Sequence, residues 1–379
     1  MQEINAIIEA FKKVDFSKRK AALATVVRVK GSSYRAPGAR MLITDDGKWI
    51  GSISGGCLEG DALRKARSVM RDRKPMVVTY DTSDEENRAF GISLGCNGVI
   101  DVLIEALDSE STLIKQLQNI LVQEELSGIA TVFESGEVDY LGEKLFAFPE
   151  NQAYSSLPSS ELKQMIHGHL LQCIAERRSS VKNISLDSKS YSIFFEVLEP
   201  TIDLLIIGGG FDVKPVAELA YQLGWKVSVF DECPAHTIPI NFPSVDHLIA
   251  CNRKDFPNRI KVKKYSAAIL MSHNYGLDLE ALNFFLNTPI SYIGMLGPKK
   301  RLDRMLEEGL VLKTEDINRL HAPIGLDIGA ETPQEIAISI IGEIRAKFSN
   351  ANPKFLKDKN TPIHQRQGEE SLIFKPVFQ

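Results

Sequence analysis

The chain has no apolar run long enough to cross a membrane. Its longest apolar stretches, such as DLLIIGGG from Asp203, have the length of a strand, whereas a membrane-spanning helix needs about 20 apolar residues. The first residues, MQEINAIIEAFKKVDF, have the spacing of an amphipathic helix and no small-residue cleavage site, which argues against a signal peptide. We therefore expect no membrane contact and a cytoplasmic location.

An excess of one charge is absent, and cysteine is scarce. The 45 basic and 49 acidic residues give a formal net charge of −4, which provides no broad basic surface for nucleic acid. The five cysteines are odd in number, widely spaced and without a C-x-x-C pair. This pattern disfavours a disulfide framework and a structural zinc site, so we expect reduced thiols and no bound metal.

No internal repeat divides the 379 residues, but the pattern of elements changes at Thr201. Before Thr201, runs such as Ala21–Lys30 are rich in β-branched residues and are mixed with helical spacing. This predicts a mixed α/β amino-terminal domain over 1–200, with its core at about 20–106. Strands and helices then alternate over 201–349, which predicts a Rossmann-like, doubly wound parallel sheet. A polar tail is expected over 350–379.

A glycine-rich turn, GGGFDV, joins a predicted buried strand to a predicted helix. Gly208 and Gly210 fill the first two positions of a G-x-G-x-x-G pattern, in which glycine permits a tight turn and close approach of a pyrophosphate. Asp231 ends the next predicted strand, where a carboxylate suits the ribose hydroxyl of NAD and disfavours the 2′-phosphate of NADP. The alternative is a crevice that is empty or serves in dimerisation.

Two further segments follow strands of the same predicted sheet. His273 lies in the first and is a candidate ligand-binding or acid–base group, although a histidine at a strand end is as often structural. Gly294 and Gly297 lie in the second, which opens a helix with the cations Lys299–Arg301. Glycine and cations at a helix start can bind a phosphate or carboxylate. Solvated surface charges are the alternative for those cations.

Basic residues surround the loop between the first two predicted strands. Lys30, Arg35 and Arg40 lie there, and an arginine is well suited to bind an anionic ligand such as a phosphate. Arg40 is the member of this group that we predict to bind a cofactor. The commoner alternative is a solvated surface charge.

Two cysteines of the first half are next to glycines. Cys57 follows Gly55 and Gly56 and precedes a helical pattern, and the N–H groups and dipole of a helix start favour a thiolate. Glu59 opposes that effect slightly. Cys96 is also preceded by glycine. A buried structural thiol is the alternative for both cysteines.

Several of these segments resemble the XdhC/CoxI family, the accessory proteins of molybdenum hydroxylases such as xanthine dehydrogenase. They cover about 20–106 and 203–346, and the most specific are SGGCLEG from Ser54 and PIGLDIGAETPQEIA from Pro323. The resemblance implies a chaperone rather than a turnover enzyme. Such a protein would bind molybdenum cofactor, keep it while a cysteine desulfurase supplies its sulfur ligand, and pass it to the apo-hydroxylase. In this role Cys57 and Cys96 would relay sulfur as persulfides.

Two other classes of function stay open on the residues alone. One is an NAD-dependent oxidoreductase that uses Gly208, Gly210, Asp231 and His273. The other is a regulatory protein that senses a nucleotide and binds an enzyme partner. A simple dehydrogenase does not need two glycine-flanked cysteines, which favours the chaperone. We also expect a homodimer, because two-fold oligomers are the commonest and the apolar end SLIFKPVFQ needs a docking surface.

Overall fold

The computed structural model describes residues 1–81, 98–136, 140–186, 189–263 and 266–360. The chain forms two compact units: Met1–Pro200 with the chain after Phe355, and Thr201–Phe355. That the domains divide at residues 200 and 349, with a separate tail, stays a prediction. Among the described helices, none combines the length and the apolar character that crossing a membrane requires.

The first unit combines helices with two antiparallel sheets. Its described elements are α1 (Gln2–Lys12), β1 (Ala21–Gly31), β2 (Arg40–Thr44), β3 (Trp49–Gly51), α2 (Glu59–Asp72), β4 (Met76–Asp81), β5 (Gly98–Leu107), α3 (Thr112–Leu121), β6 (Ser127–Ser135), β7 (Lys144–Ala147), β8 (Ala153–Ser155), α4 (Ser160–Ala175), β9 (Ser180–Leu186) and β10 (Lys189–Leu198). The strand orders are β3-β2-β1-β5-β4 and β8-β7-β6-β10-β9. The mixed α/β architecture predicted for this half is confirmed.

The two sheets of this unit pack on each other and carry helices on their other faces. Val27 and Leu103 of the first sheet meet Phe133 and Phe194 of the second in one buried cluster. Helix α2 packs on the first sheet, and α4 packs on the second. Successive strand residues point to opposite faces, and both faces of β1 are covered. This explains why β1 is buried without interruption over 21–27.

The second unit is built on a parallel sheet. Its described elements are β11 (Asp203–Ile207), α5 (Val213–Gln222), β12 (Lys226–Asp231), β13 (His247–Ala250), α6 (Phe256–Arg259), β14 (Ser266–Leu270), α7 (Tyr275–Leu286), β15 (Tyr292–Met295), α8 (Lys299–Glu307), β16 (Leu320–His321) and α9 (Pro333–Phe348). The strand order is β13-β12-β11-β14-β15-β16, and each neighbouring pair is parallel. The predicted doubly wound, Rossmann-like sheet is therefore confirmed.

Helices cover both faces of the parallel sheet. Helices α5 and α9 contribute to the apolar core on one face, and α7 and α8 contribute to the core on the other. The start of α9 has a capping box, in which the Thr332 hydroxyl accepts from the Glu335 N–H and the Glu335 carboxylate accepts from the Thr332 N–H. The strand order reverses between β11 and β14, and in such sheets the ligand crevice opens there at the carboxyl ends of the strands.

Candidate functional site

The loop between β3 and α2, called the Cys57 loop below, is organised by a buried carboxylate. Glu59 is the first residue of α2 and is only 3% exposed. Five donors bind its oxygens: Ser52 Oγ at 2.7 Å, Ile53 N at 3.2 Å, Ser54 N at 3.0 Å, Ser54 Oγ at 2.6 Å and Leu58 N at 3.1 Å. Burial by itself would raise the pKa of Glu59, but the bonds from Ser54 and Ser52 outweigh it and lower the pKa to about 2. The loop therefore folds around a fixed anion.

Ser54 connects this anion to the cysteine. Its Oγ donates to Glu59 and accepts from the N–H groups of Cys57 and Leu58, each at 3.1 Å. Cys57 is exposed. Gly56 has φ +113°, and no atom outside Gly55, Gly56 and Cys57 lies within 4 Å of the position that a Cβ would occupy there. The loop thus presents an exposed thiol next to a glycine whose free side is uncovered by other residues.

The loop between β1 and β2 contacts the Cys57 loop. A Cβ on Gly55 would lie 3.3 Å from Cδ1 of the Tyr34 ring, so the ring rests on glycine backbone. Arg35 donates from Nε to the Ser52 carbonyl at 3.1 Å and from Nη2 to the Glu3 carboxylate. These contacts connect α1, the β1–β2 loop and the Cys57 loop.

Arg40 is not a surface cation. It is 4% exposed, and its guanidinium pairs with Glu196 of β10, with Nη1 2.9 Å from Oε1. Burial would lower the pKa of Arg40, but the charge and hydrogen bond of Glu196 raise it. A buried cation needs a charged partner, and Glu196 supplies it. Because Arg40 belongs to β2 and Glu196 to β10, this ion pair also connects the two sheets. An anionic ligand would have to displace Glu196, so the binding role of Arg40 stays a prediction that this geometry disfavours.

The other cysteines have different surroundings. Cys96 lies outside the described residues, and its role stays a prediction. Cys173 is buried, Cys233 is exposed and Cys251 is half-buried. Within the ranges that the structure describes, no three or more histidine, cysteine, aspartate or glutamate side chains are grouped so that they could bind a metal ion.

The glycine turn of the second unit lies where the strand order reverses. Gly208 has φ +122°, and a Cβ there would lie 2.5 Å from the Met271 carbonyl oxygen. A Cβ on Gly210 would lie 2.8 Å from Oδ1 of Asp212. The close approach to Met271 therefore requires glycine at position 208.

Asp231 lies beside this turn. Its Oδ2 accepts from the Gly209 N–H at 2.7 Å, and its Oδ1 accepts from the Cys233 N–H at 2.7 Å. Nδ1 of His236 is 3.2 Å from Oδ2, and a Cβ on Gly209 would lie 2.7 Å from the His236 Cβ. The segment after β12 thus packs on the glycine turn, and protein donors already contact both oxygens of Asp231.

The segment after β14 brings a histidine to the same edge. His273 has φ +56° and is exposed, with Nε2 2.8 Å from Oδ2 of Asp212 at the start of α5. Ser272 donates to the buried Asp278 at 2.5 Å, and Asp278 accepts from Arg301 at 2.5 Å. His273 is therefore connected through Asp212 to the segment that follows the glycine turn. Arg301 is already engaged in an ion pair with Asp278.

The two glycines near α8 have different surroundings. Gly294 lies in β15, and a Cβ there would be 2.2 Å from Cδ1 of Ile324, so core packing explains this glycine. Gly297 has φ +120°. Lys299 and Lys300, the first residues of α8, are exposed. Ligand binding by either glycine stays a prediction.

The fold and the Cys57 loop define a protein with a Rossmann-type unit and a double-sheet unit that presents an exposed thiol. Models of two protein families match it: the XdhC Rossmann domain over residues 204–344 and the XdhC and CoxI family over residues 17–81. The chain belongs to the XdhC/CoxI family.

Similar proteins are known in several bacteria. A Bacillus subtilis protein whose name describes a probable component of xanthine dehydrogenase is 29% identical over 328 residues, which are 86% of this chain and 93% of that protein. The molybdenum cofactor insertion chaperone PaoD of Escherichia coli is 24% identical over 333 residues, 86% of this chain and 83% of PaoD. A crystal structure described as a xanthine dehydrogenase from Bacillus halodurans matches with a TM-score of 0.75 and 29% identity, covering 93% of this chain and 97% of that one.

Sequence patterns do not reveal three contributors to the Cys57 loop. They indicate Glu59 only as a charge that opposes a thiolate, whereas the structure makes it the acceptor for five donors. They give Tyr34 and Glu3 no part in a site. The one available signal is an acidic residue at a helix start after two serines, a place where acceptors for free N–H groups are expected.

Proposed function

We propose that this protein binds molybdenum cofactor and supports its maturation and insertion into a molybdenum hydroxylase of the xanthine dehydrogenase type. Similarity to PaoD and to the B. subtilis protein supports this role. The observation that carries it is the exposed thiol of Cys57 on a loop that Glu59 fixes. That loop lies within the segment that the XdhC and CoxI family model matches.

The chemistry of the Cys57 loop suits such a cargo. A thiolate is a soft ligand and suits soft metal centres. Gly56, the residue before the thiol, is not covered by other residues on its free side. Because the loop is already ordered by the bonds to Glu59, less conformational entropy is lost when the ligand binds. A rigid, open thiol is therefore a reasonable site for temporary binding of a metal–sulfur cofactor.

The finer part of the proposal is a sulfur relay from a cysteine desulfurase. The Cys57 thiolate would attack the outer sulfur of a persulfide on the desulfurase. A sulfur–sulfur bond forms on Cys57, the one on the desulfurase breaks, and the desulfurase cysteine leaves as a thiolate. This exchange needs no external oxidant or reductant. Cys96 is proposed as a second thiol of the relay.

The test compares two exposed thiols of the same chain. The full-length protein, Cys57→Ser and Cys233→Ser are incubated with molybdenum cofactor released from a hydroxylase, separated by gel filtration and assayed for molybdenum and pterin. We expect the wild type and Cys233→Ser to retain cofactor and Cys57→Ser to bind it about tenfold more weakly, which corresponds to about 1.4 kcal/mol. Failure of the wild type to retain cofactor would refute the proposed function.

Alkylation gives a readout without cofactor. In the native protein iodoacetamide should label Cys57 faster than Cys173 or Cys251, because Cys57 is exposed and the others are buried or half-buried. Peptide mass spectrometry at successive times measures the three rates. Equal rates would indicate that Cys57 is only a structural thiol. Cofactor binding would then depend on the glycine backbone and neighbouring side chains.

A second ligand is proposed for the other unit. The supporting observation is the glycine turn at the reversal of strand order, with the Asp231 carboxylate 2.7 Å from the Gly209 N–H. This arrangement suits NAD or a dinucleotide form of the cofactor. An NAD-dependent oxidoreductase that uses His273 is the competing function, and substrate-dependent reduction of NAD by the purified chain would favour it. A homodimer, detectable by light scattering, also stays a proposal.

A further inference from the structure

The aromatic ring of Tyr34 is exposed and contacts the Cys57 loop. Tyr34 is 75% exposed. One part of its ring lies against the Cys57 loop, because a Cβ on Gly55 would be 3.3 Å from Cδ1 and 3.4 Å from Cγ. A Cβ at position 55 would require this ring to shift by a few tenths of an ångström. Glycine at position 55 therefore allows the ring to lie close against the loop, and the rest of the ring is exposed.

Hydrogen bonds anchor both segments that meet at this contact, the β1–β2 loop next to Tyr34 and the Cys57 loop. Arg35 donates to the Ser52 carbonyl at 3.1 Å and to the Glu3 carboxylate. Ser52 in turn donates to Glu59 at 2.7 Å. The backbone that carries the ring and the loop beneath it are thus joined through charged and polar contacts. An aromatic side chain on an anchored backbone loses less entropy when a flat ligand stacks on it than one on a free loop.

The aromatic ring of Tyr34 contacts the same loop that carries the exposed thiol of Cys57. Gly55, which the ring contacts, is two residues before the exposed Cys57, and no residue other than these chain neighbours lies within 4 Å of a Cβ position on Gly56. A ligand that has a planar heteroaromatic ring at one end and a soft metal–sulfur group at the other could use both features. Aromatic side chains favour offset stacking on such rings.

We propose that Tyr34 is a ligand-binding residue that stacks on the planar pterin ring of molybdenum cofactor, while Cys57 contacts the metal end. This inference rests on the proposed function. It assigns the recognition of the organic part to a side chain other than the thiol. The pterin ring and the metal should then contribute separately to binding.

The experiment uses a metal-free pterin, 6-hydroxymethylpterin, as the probe, so that the thiol–metal contact is absent. Quenching of pterin fluorescence measures binding to the full-length wild type, Tyr34→Leu, Tyr34→Phe and Cys57→Ser. Tyr221→Leu is the matched control, because Tyr221 is also an exposed tyrosine, on α5 of the second unit. We expect Tyr34→Leu to weaken pterin binding about tenfold, in the range of stacking on an aromatic side chain. Tyr34→Phe, Cys57→Ser and Tyr221→Leu should bind like the wild type.

The outcomes separate this inference from the proposed function. If Tyr34→Leu binds the pterin as well as the wild type does, or if the wild type gives no quenching, the inference is overturned. Retention of intact molybdenum cofactor that depends on Cys57 would leave the proposed function standing in that case. If Tyr34→Phe loses binding together with Tyr34→Leu, the hydroxyl rather than the ring makes the contact, and the stacking inference is wrong.

Discussion

Both units carry consecutive glycines shortly before a helix, two before α2 and three before α5, but the structure uses them differently. Before α5, a Cβ on Gly208 would collide with the Met271 carbonyl, so glycine is required by close packing of the chain on itself. Before α2, Gly56 has open space on its free side. Glycine before a helix can therefore either allow backbone packing or leave a surface uncovered.

The two helix starts also differ in how their charge is arranged. At α2 the carboxylate of Glu59 is buried and accepts five hydrogen bonds within its loop. At α5 the carboxylate of Asp212 contacts the exposed His273. A carboxylate is favourable near either helix N-terminus. Glu59 organises the loop that carries Cys57, whereas Asp212 contacts the exposed imidazole of His273.

The largest effect should come from adding a methyl group at the two glycines. Gly208→Ala combines a positive φ with a backbone collision and should lower the free energy of unfolding of its unit by about 3–5 kcal/mol. Gly56→Ala has only the strained φ and should lower it by about 1–2 kcal/mol. The chain has two tryptophans, Trp49 in the first unit and Trp225 in the second, so urea unfolding followed by fluorescence in single-tryptophan backgrounds reports each unit. Equal losses would contradict the distinction between packed and open glycine.

The next effect concerns Glu59. Glu59→Gln should lower the free energy of unfolding by about 1–3 kcal/mol at neutral pH, because buried donors lose a charged acceptor. The folded-state pKa of Glu59 is about 2, below its ordinary value of 4.5. Its stabilisation is therefore complete above about pH 4.5 and is lost as the pH falls towards 2.

The measurement for Glu59 is urea unfolding of the wild type and the variant between neutral pH and the most acidic pH at which both still fold. The difference between them should shrink as the pH falls below 4.5. Asp61→Asn is the control, because Asp61 lies on the same helix and accepts from the exposed Arg64 and from the Tyr80 hydroxyl, but from none of the donors of the Cys57 loop among the bonds that the structure describes. A pH-independent difference would show that shape, and not charge, makes Glu59 important.

The smallest effect concerns nucleotide choice in the second unit. With the Asp231 carboxylate beside the glycine turn, the 2′-phosphate of NADP should meet like-charge repulsion. We expect NADP to bind less tightly than NAD by about 1 kcal/mol, or roughly fivefold, and Asp231→Asn to reduce that difference. Isothermal calorimetry measures both ligands, and NADP binding at least as tightly as NAD would reject this role of Asp231.

Local patterns predicted the second unit better than the first. The strand Asp203–Ile207 and the helix after the glycine turn were found where the sequence placed them, because parallel strands and amphipathic helices have strong local signatures. Helix α4 was not predicted. Its outer face carries the exposed apolar residues Met165 and Leu171, which blur the contrast between a buried and a solvated face. The strands β9 and β10 that follow it were missed as well.

The sequence alone determined the class of fold, the glycine turn and the candidate thiol, because periodicity, turn residues and short motifs are local properties. Tertiary structure decided what the charged groups do. Arg40, a candidate for an anion site, is paired with Glu196, which is 156 residues away in the chain. Glu59 and Tyr34 owe their roles to the loops that meet around Cys57. Contacts between distant segments bury some charges and leave the Cys57 thiol exposed, and no local pattern encodes which charges are buried.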